Sequence, residues 1–325
     1  MSTPVASPVP FAEALQRSPI VLDGGLSTEL ERMGHDVSSA LWSARLLRDD
    51  PSAVVAAHVA FFEAGAQVAT TASYQATFEG FRSAGIEPGE ARRLMIRSVE
   101  LARTAVRDAG VQGDAWVAGS VGPFGAMLAD GSEYTGSYAD PGWAGRSGGG
   151  LSVDELRAFH RPRLEALAEA GCDVLACETI PALAEAEALV AEVQRLGVPA
   201  WISITAVRGE DGVARTRQGE PATEFFALAR GVDAVVAVGV NCTGPAGLGP
   251  VVAEAAEASG GKAVAVYPNS GEVWDAGARR WSGRPGLSAQ DVADWLQAGA
   301  RLVGGCCRIG PSQLRAVADR VQGAA

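Results

Sequence analysis

Pro19-Ile20-Val21-Leu22-Asp23-Gly24-Gly25-Leu26-Ser27 decides between the two folds that the pattern of this chain allows. Residues 19–22 form an apolar run of strand type, and the turn after them reads Asp-Gly-Gly-Leu-Ser. An open doubly wound sheet that binds dinucleotides would carry G-x-G-x-x-G at this first strand-to-helix turn. This chain does not, and the reading moves to a closed barrel. Outward from residue 22 the unit repeats. Helical periodicity over 51–64 follows the first strand. Strand patterns then fall at 67–71, 115–120, 173–177, 200–205, 234–240, 263–267 and 301–303. Helices are predicted over 88–109, over 152–170, from 181, from 221, up to 259–261, and over 288–298 and 311–321. Ser152-Val153-Asp154-Glu155 has the form of a capping box, and Asp291 can cap from Ser288 in the same way. Strands alternating with helices imply parallel pairing through crossovers. Eight such units in 325 residues predict an α/β fold, a single (β/α)8 TIM barrel. Its expected extent is 13–325, behind a flexible tail over 1–12.

Composition narrows the function. Hydrophobic residues make up 47% of the chain, ample for a core, and the net charge is −11. No Lys/Arg-rich run offers the footprint of a nucleic-acid binder. An acidic surface accepts a cationic small substrate more readily than a polyanion. No apolar stretch approaches the ~18 residues of a membrane span, and residues 1–10 lack the pattern of a secretory signal. Five cysteines in a chain of this size point to a reducing cytoplasm and to metal-binding or catalytic thiols. Lys262 is the only lysine among 27 basic residues, and His35, His58 and His160 are the only histidines. His58 and His160 fall in helical patterns and read as ordinary helix or surface positions. Lys262 precedes the seventh strand, on the rim away from barrel chemistry, which disfavours a Schiff base.

Barrel enzymes carry their chemistry at the C-terminal strand ends. There this sequence puts Asp23, then Thr71-Ala72-Ser73-Tyr74, Ser120-Val121-Gly122-Pro123, Glu178-Thr179, Asn241-Cys242, Tyr267-Pro268-Asn269-Ser270-Gly271 and Gly304-Gly305-Cys306-Cys307. Three thiols with one coordination position left open form a catalytic type of zinc site. Adjacent cysteines on a regular strand point to opposite faces, so Cys306 and Cys307 can share a metal only where the strand has ended. Gly304-Gly305 supplies that break. Inert buried cysteines and a vicinal disulfide are the other readings. Asp23 and Glu178 at the mouth can hold a substrate ammonium group. Alternatively Asp23 is a turn residue and Glu178 a helix N-terminal carboxylate. Ser73 and Tyr74 line the pocket or pack at the strand end. The amides of 120–123 can receive a carboxylate. Asn241 and Asn269 read as turn formers, while Cys172 and Cys177 read as core.

These residues resemble the homocysteine S-methyltransferase family, the zinc-dependent thiol methylases, over about 20–314. The resemblance is carried by Leu22-Asp23-Gly24-Gly25-Leu26-Ser27-Thr28-Glu29-Leu30, Leu41-Trp42-Ser43, Thr71-Ala72-Ser73-Tyr74-Gln75-Ala76-Thr77 and Ala118-Gly119-Ser120-Val121-Gly122-Pro123. It continues in Asp130-Gly131-Ser132-Glu133-Tyr134, Phe159-His160-Arg161-Pro162-Arg163, Ala176-Cys177-Glu178-Thr179, Gly239-Val240-Asn241-Cys242, Tyr267-Pro268-Asn269-Ser270-Gly271-Glu272 and Gly304-Gly305-Cys306-Cys307-Arg308. The set is most similar to the stand-alone branch that uses S-methylmethionine or S-adenosylmethionine. The resemblance implies Zn2+ on Cys242, Cys306 and Cys307, with homocysteine sulfur as fourth ligand. It implies that Asp23 and Glu178 hold the amino-acid head, with Ser73, Thr179 and Tyr134 as further substrate-binding residues. The implied activity is methyl transfer from a sulfonium donor to homocysteine, giving methionine, in a cytoplasmic enzyme of amino-acid biosynthesis. The alternatives are a selenocysteine or betaine-type methyltransferase of the same family, a non-catalytic zinc or redox-sensing thiol module, and a metal-free barrel lyase. The last lacks lysine and histidine at the productive rim.

Overall fold

The computed structural model describes residues 9–37, 41–275 and 280–323. Eight parallel strands surround one interior. Numbering only these, they are β1 (Ile20–Val21), β2 (Val68–Thr70), β3 (Trp116–Val121), β4 (Val174–Ile180), β5 (Ala200–Ile204), β6 (Val235–Asn241), β7 (Ala263–Tyr267) and β8 (Ala300–Val303). Each pairs with its sequence neighbour from β2 to β8, and β8 pairs back to β1 through Ile20 opposite Leu302 and Val21 opposite Val303. The remaining seam, β1 to β2, has no regular ladder and is closed by one backbone bond together with side chains. Gln67 donates its backbone N–H to the Val21 carbonyl (2.8 Å), and its Oε1 accepts from the Val21 N–H (3.1 Å). Higher up, the Asp23 carboxylate accepts from Thr70 N (2.6 Å) and Thr70 Oγ1 (2.7 Å). This is the predicted (β/α)8 barrel.

Period-two alternation sorts the strand residues into two sets. Val117, Leu175, Cys177, Ile202, Val238, Val264 and Val303 face outward onto the helix ring. Ile20, Val68, Trp116, Ala118, Val174, Ala176, Trp201, Ala237, Ala265 and Leu302 face inward. The bottom of this interior is plugged by the helix Phe11–Arg17. Phe11 lies edge-on to Trp116 (5.7 Å between ring centroids) and against Trp201 (6.0 Å). The tail expected over 1–12 therefore ends sooner. Val9 already bonds Asp114 and Phe11 is buried, while residues 1–8 lie outside the described residues.

The ring holds the expected helices, with both capping boxes present at Ser152–Glu155 and Ser288–Asp291. Short elements escaped the periodicity argument because each has too few residues to repeat. The helix Leu26–Arg32 starts directly from the Gly24-Gly25 turn. The glycine-rich 122–150 connection contains the helix Phe124–Leu128 and two 3-10 turns, Ser132–Tyr134 and Ser137–Ala139. A hairpin pairs Val207–Arg208 with Ala214–Arg215 above β5. His58 and His160 are both buried, contrary to the surface reading. Among the described residues neither ring nitrogen of His58 has a partner, and burial lowers its pKa to about 4. His160 bonds Glu185 at 2.8 Å. Among the described residues no helix is long and apolar enough to cross a membrane.

Candidate active site

At the C-terminal ends of the strands the inward register turns polar. Ser120 continues Trp116 and Ala118, Glu178 continues Val174 and Ala176, and Ser203 follows Trp201. Asn241 and Tyr267 end β6 and β7. These residues and their loops enclose a cavity of about 120 Å³, lined by Asp23, Glu178, Thr179, Glu133, Tyr134, Cys242, Cys306 and Cys307 among others.

The three cysteines meet because their backbones leave strand geometry. β8 stops at Val303, and Gly304 and Gly305 pass too close to β1 and Ile309 for any side chain. A Cβ on Gly304 would lie 2.6 Å from that of Leu22, and one on Gly305 would lie 2.3 Å from Ile309 Cγ2. The chain then turns, anchored by Cys306 N–H to the Pro268 carbonyl (2.8 Å) and by Ser270 N–H to the Cys307 carbonyl (3.1 Å). Cys242 sits at φ 47°, left-handed for a non-glycine residue, as do Thr179 (63°) and Arg308 (68°) around the same mouth. Such backbone costs about 1–3 kcal/mol per residue and persists where surrounding structure enforces it. The result places all three sulfurs within 4.8 Å of one another, with Cys242 and Cys307 3.4 Å apart. Tetrahedral zinc with ~2.3 Å bonds to sulfur needs ligand sulfurs spaced about 3.8 Å, so this donor set fits a soft divalent metal and leaves a position open.

A family model described as homocysteine S-methyltransferase matches residues 20–321. This chain belongs to the homocysteine S-methyltransferase family. Homocysteine S-methyltransferase YbgG of Bacillus subtilis (strain 168) is 42% identical over 92% of this chain and 93% of its own. A selenocysteine Se-methyltransferase of Brassica oleracea var. italica is 39% identical over 93% of this chain and 88% of its own. The crystal structure of the homocysteine methyltransferase MmuM from Escherichia coli, in a metallated form, superposes with a TM-score of 0.79 at 38% identity, covering 96% of this chain and all of that one.

The electrostatics of this family member's mouth follow from burial. Asp23 is raised to about 8 and Glu178 to about 7, each chiefly by desolvation. Ser120 Oγ donates to Glu178, and Tyr267 also supports its charged form. Glu133 is likewise raised to about 7 by burial, and its Oε2 has no partner among the described residues. Hydrogen bonds from Cys306, Cys307 and Tyr134 hold the Cys242 thiol well below its ordinary range, whereas Cys306 and Cys307 are pushed up. One thiolate with two thiols is what three crowded sulfurs adopt without a cation, since like charges resist ionising together. Cys172 and Cys177, both core residues, are pushed up to about 12 by burial.

The sequence-predicted residues divide by position. Asp23, Glu178, Thr179, Tyr134 and the three cysteines line the cavity. Ser73 stands behind the wall, donating to the Ser120 carbonyl (2.7 Å) and bonding Thr71 Oγ1 (2.7 Å). Tyr134 places its hydroxyl 3.3 Å from Cys242 Sγ. Thr179 is tied to Asn241, its N–H donating to Asn241 Oδ1 (2.8 Å) and its Oγ1 accepting from Nδ2 (2.7 Å). Asn241 is thus a strand-end clamp and not a turn former. Sequence reasoning put Ser120 and Tyr267 at the strand ends without giving either side chain a role, and gave Glu133 none beyond its place in a motif. The signal for Ser120 and Tyr267 was the inward register: each lies two residues beyond an apolar inward position.

Proposed function

We propose that this protein methylates homocysteine to methionine, using Zn2+ held by Cys242, Cys306 and Cys307 and a sulfonium donor, S-methylmethionine or S-adenosylmethionine. The observation that carries this reading is the juxtaposition of three convergent thiols with two buried acids, Asp23 and Glu178, on one small cavity. When bound, zinc supplies an open position that keeps an added thiol ionised near neutral pH. Asp23 and Glu178 take the substrate ammonium. Burial makes both poor anions until a cation arrives, so binding of the ammonium draws their protons off. Tyr134 donates to Cys242 and steadies its charge. Asn241, held by Thr179 and Ser203, points its Nδ2 toward Cys306 Sγ at 4.0 Å. In the transfer, a lone pair of the acceptor sulfur forms the new S–CH3 bond. The donor's S–CH3 bond breaks toward the donor sulfur, which leaves as a neutral thioether. The acceptor proton has already gone to solvent, so no protein base is needed. The buried Glu133 carboxylate and the thiolate cluster favour a cationic donor over a neutral one. Three free thiols suit a reducing cytoplasm. The test is a donor panel of S-methylmethionine, S-adenosylmethionine and betaine against homocysteine, with selenocysteine as rival acceptor, on the zinc-loaded protein. Methionine formed from a sulfonium supports the reading. No methionine from any donor, or equal activity after the metal is stripped, overturns it.

A further inference from the structure

A second cavity, of about 450 Å³, adjoins the first. Chain neighbours divide between them: Cys242 lines the first cavity and Thr243 the second. The ring of Tyr134 lines the first, and Arg217, whose guanidinium carbon lies 6.0 Å from that ring's centroid, lines the second. The two cavities differ in sign. The first holds Asp23, Glu133 and Glu178; the lining of the second contains Arg208 and Arg217 and no acid.

Arg217 is the less exposed of these two arginines. Arg157, Arg161 and Arg195 all pair with Glu192, and Arg308 pairs with Glu272. Among the described residues no carboxylate pairs with Arg217. Its Nη2 donates to Thr205 Oγ1 (3.0 Å), which in turn donates to the Cys242 carbonyl (3.3 Å), and its Nε is buried with no partner among the described residues. A half-buried guanidinium that lacks an acid is costly unless an anion completes it, and its fork is matched to a carboxylate. Two hydrogen bonds thus link it to the backbone of a predicted metal ligand. Arg208 sits at the outer rim, bonded to the Gly212 and Gly247 carbonyls.

We propose that this second cavity seats the amino-acid portion of the methyl donor, and that Arg217 binds the donor's α-carboxylate. The inference rests on the sulfonium-dependent methyl transfer proposed above. It gives that reaction its alignment. The acceptor lies on the acidic side of Cys242 and the donor on the basic side, so the donor's cationic sulfur faces the thiols while its carboxylate is held away from them. The wall provided by Ala206, Pro245 and Leu248 suits the methylenes between those two groups.

Steady-state kinetics of zinc-loaded Arg217→Ala and Arg217→Lys test this with two donors, S-methylmethionine and trimethylsulfonium, which has no carboxylate. The expected result for Arg217→Ala is a KM for S-methylmethionine raised by about 10–100-fold, the loss of one charge-assisted hydrogen-bonding partner. The KM for homocysteine, the bound zinc and the rate with trimethylsulfonium should stay at wild-type values. Arg217→Lys should recover part of the loss, having charge without the fork. Calorimetric binding of S-methylmethionine should weaken in parallel. If Arg217→Ala melts early, Arg217→Gln carries the same comparison. Equal losses with both donors, or loss of zinc, would show that Arg217 serves the thiol cluster, overturning this inference while methyl transfer stands. A wild-type protein that uses no sulfonium at all overturns the proposed function and this inference with it.

Discussion

The lower and upper halves of the barrel interior are built on the same strands and the same inward register, yet they bury opposite chemistry. Below, Trp116, Trp201, Val174 and Leu302 close on Phe11, and burial is apolar throughout. Above, Ser120, Glu178, Ser203, Asn241 and Tyr267 occupy the same faces, with Asp23 beside them. The lower half gains stability from area removed from water. The upper half forgoes that gain, burying acids whose pKa values rise because water has been excluded. The seam residues show how close the two regimes lie. Gln67 closes the barrel with a neutral amide, while Asp23 closes it one turn of register higher with a carboxyl that also faces the cavity.

The largest effect should come from the top. Cys306→Ala removes one of three sulfurs and should reduce bound zinc from about one per chain to near none, with methyl transfer falling to background. Metal analysis and a methionine assay on the same sample check it. A variant that keeps both metal and activity would break the division between the halves. Next is the bottom. Phe11→Ala should cost about 3–5 kcal/mol by denaturant unfolding, because the plug loses its contacts with both tryptophans. The folded fraction should keep the wild-type KM for homocysteine. A shifted KM would mean that the lower half sets the site's geometry as well as its stability.

Glu178→Gln probes the cost of the polar half directly. Removing the charge should raise the KM for homocysteine by about 10–100-fold. It should also change how stability depends on pH in the zinc-free protein. The folded pKa of Glu178, about 7, lies above its ordinary 4.5. The fold therefore prefers the protonated acid, and its contribution is complete below pH 4.5 and lost as pH rises through 7. Asp23 acts in the same direction between 3.8 and about 8. Urea midpoints of the wild type should therefore fall more, or rise less, across this window than those of Glu178→Gln. Glu155 and Glu192, lowered to about 2, act only at lower pH, and buried His58, lowered from 6.5 to about 4, acts in the opposite direction below pH 6.5 in both proteins, so the difference between the two curves isolates Glu178. A variant slope as steep as the wild type would rule out Glu178 as its source.

What could be read from the sequence follows from which features repeat. The eight strands and their helices declare themselves because periods of 2.0 and 3.6 recur and glycine and proline mark the ends. Cys242, Cys306 and Cys307 could be grouped because each follows a strand, and strand ends share one rim. Ser120 and Tyr267 needed one more step, since their orientation is fixed only once the inward register is known. Tyr134 was reached only through the family resemblance, and Arg217 not at all, because no periodicity places either. They reach the site from irregular connections whose path depends on contacts distant in sequence, such as Gln218 Nε2 donating to the Thr135 carbonyl. His160 misled for a related reason. A polar residue on a helix reads as exposed unless its partner is known, and that partner, Glu185, lies on the following helix.

The smallest effect expected is the most selective. Tyr134→Phe keeps the ring beneath Arg217 and removes one hydroxyl 3.3 Å from Cys242 Sγ. A single hydrogen bond of this kind is worth about 1 kcal/mol, so kcat/KM should fall about fivefold with the fold intact. The direction of the thiol's response is also fixed. Tyr134 helps hold the Cys242 thiol low, so its removal should raise that pKa, which the pH dependence of thiol alkylation in the zinc-free protein reads out. Trp201→Phe offers the matching change at the border of the two halves, deleting the bond from Trp201 Nε1 to the Tyr267 hydroxyl (2.8 Å). If polarity in the upper half exists to tune sulfur and carboxyl charge, Tyr134→Phe should move thiol alkylation and leave the unfolding midpoint nearly unchanged. Trp201→Phe should do the reverse, because its ring belongs to the apolar plug and only its N–H reaches the site.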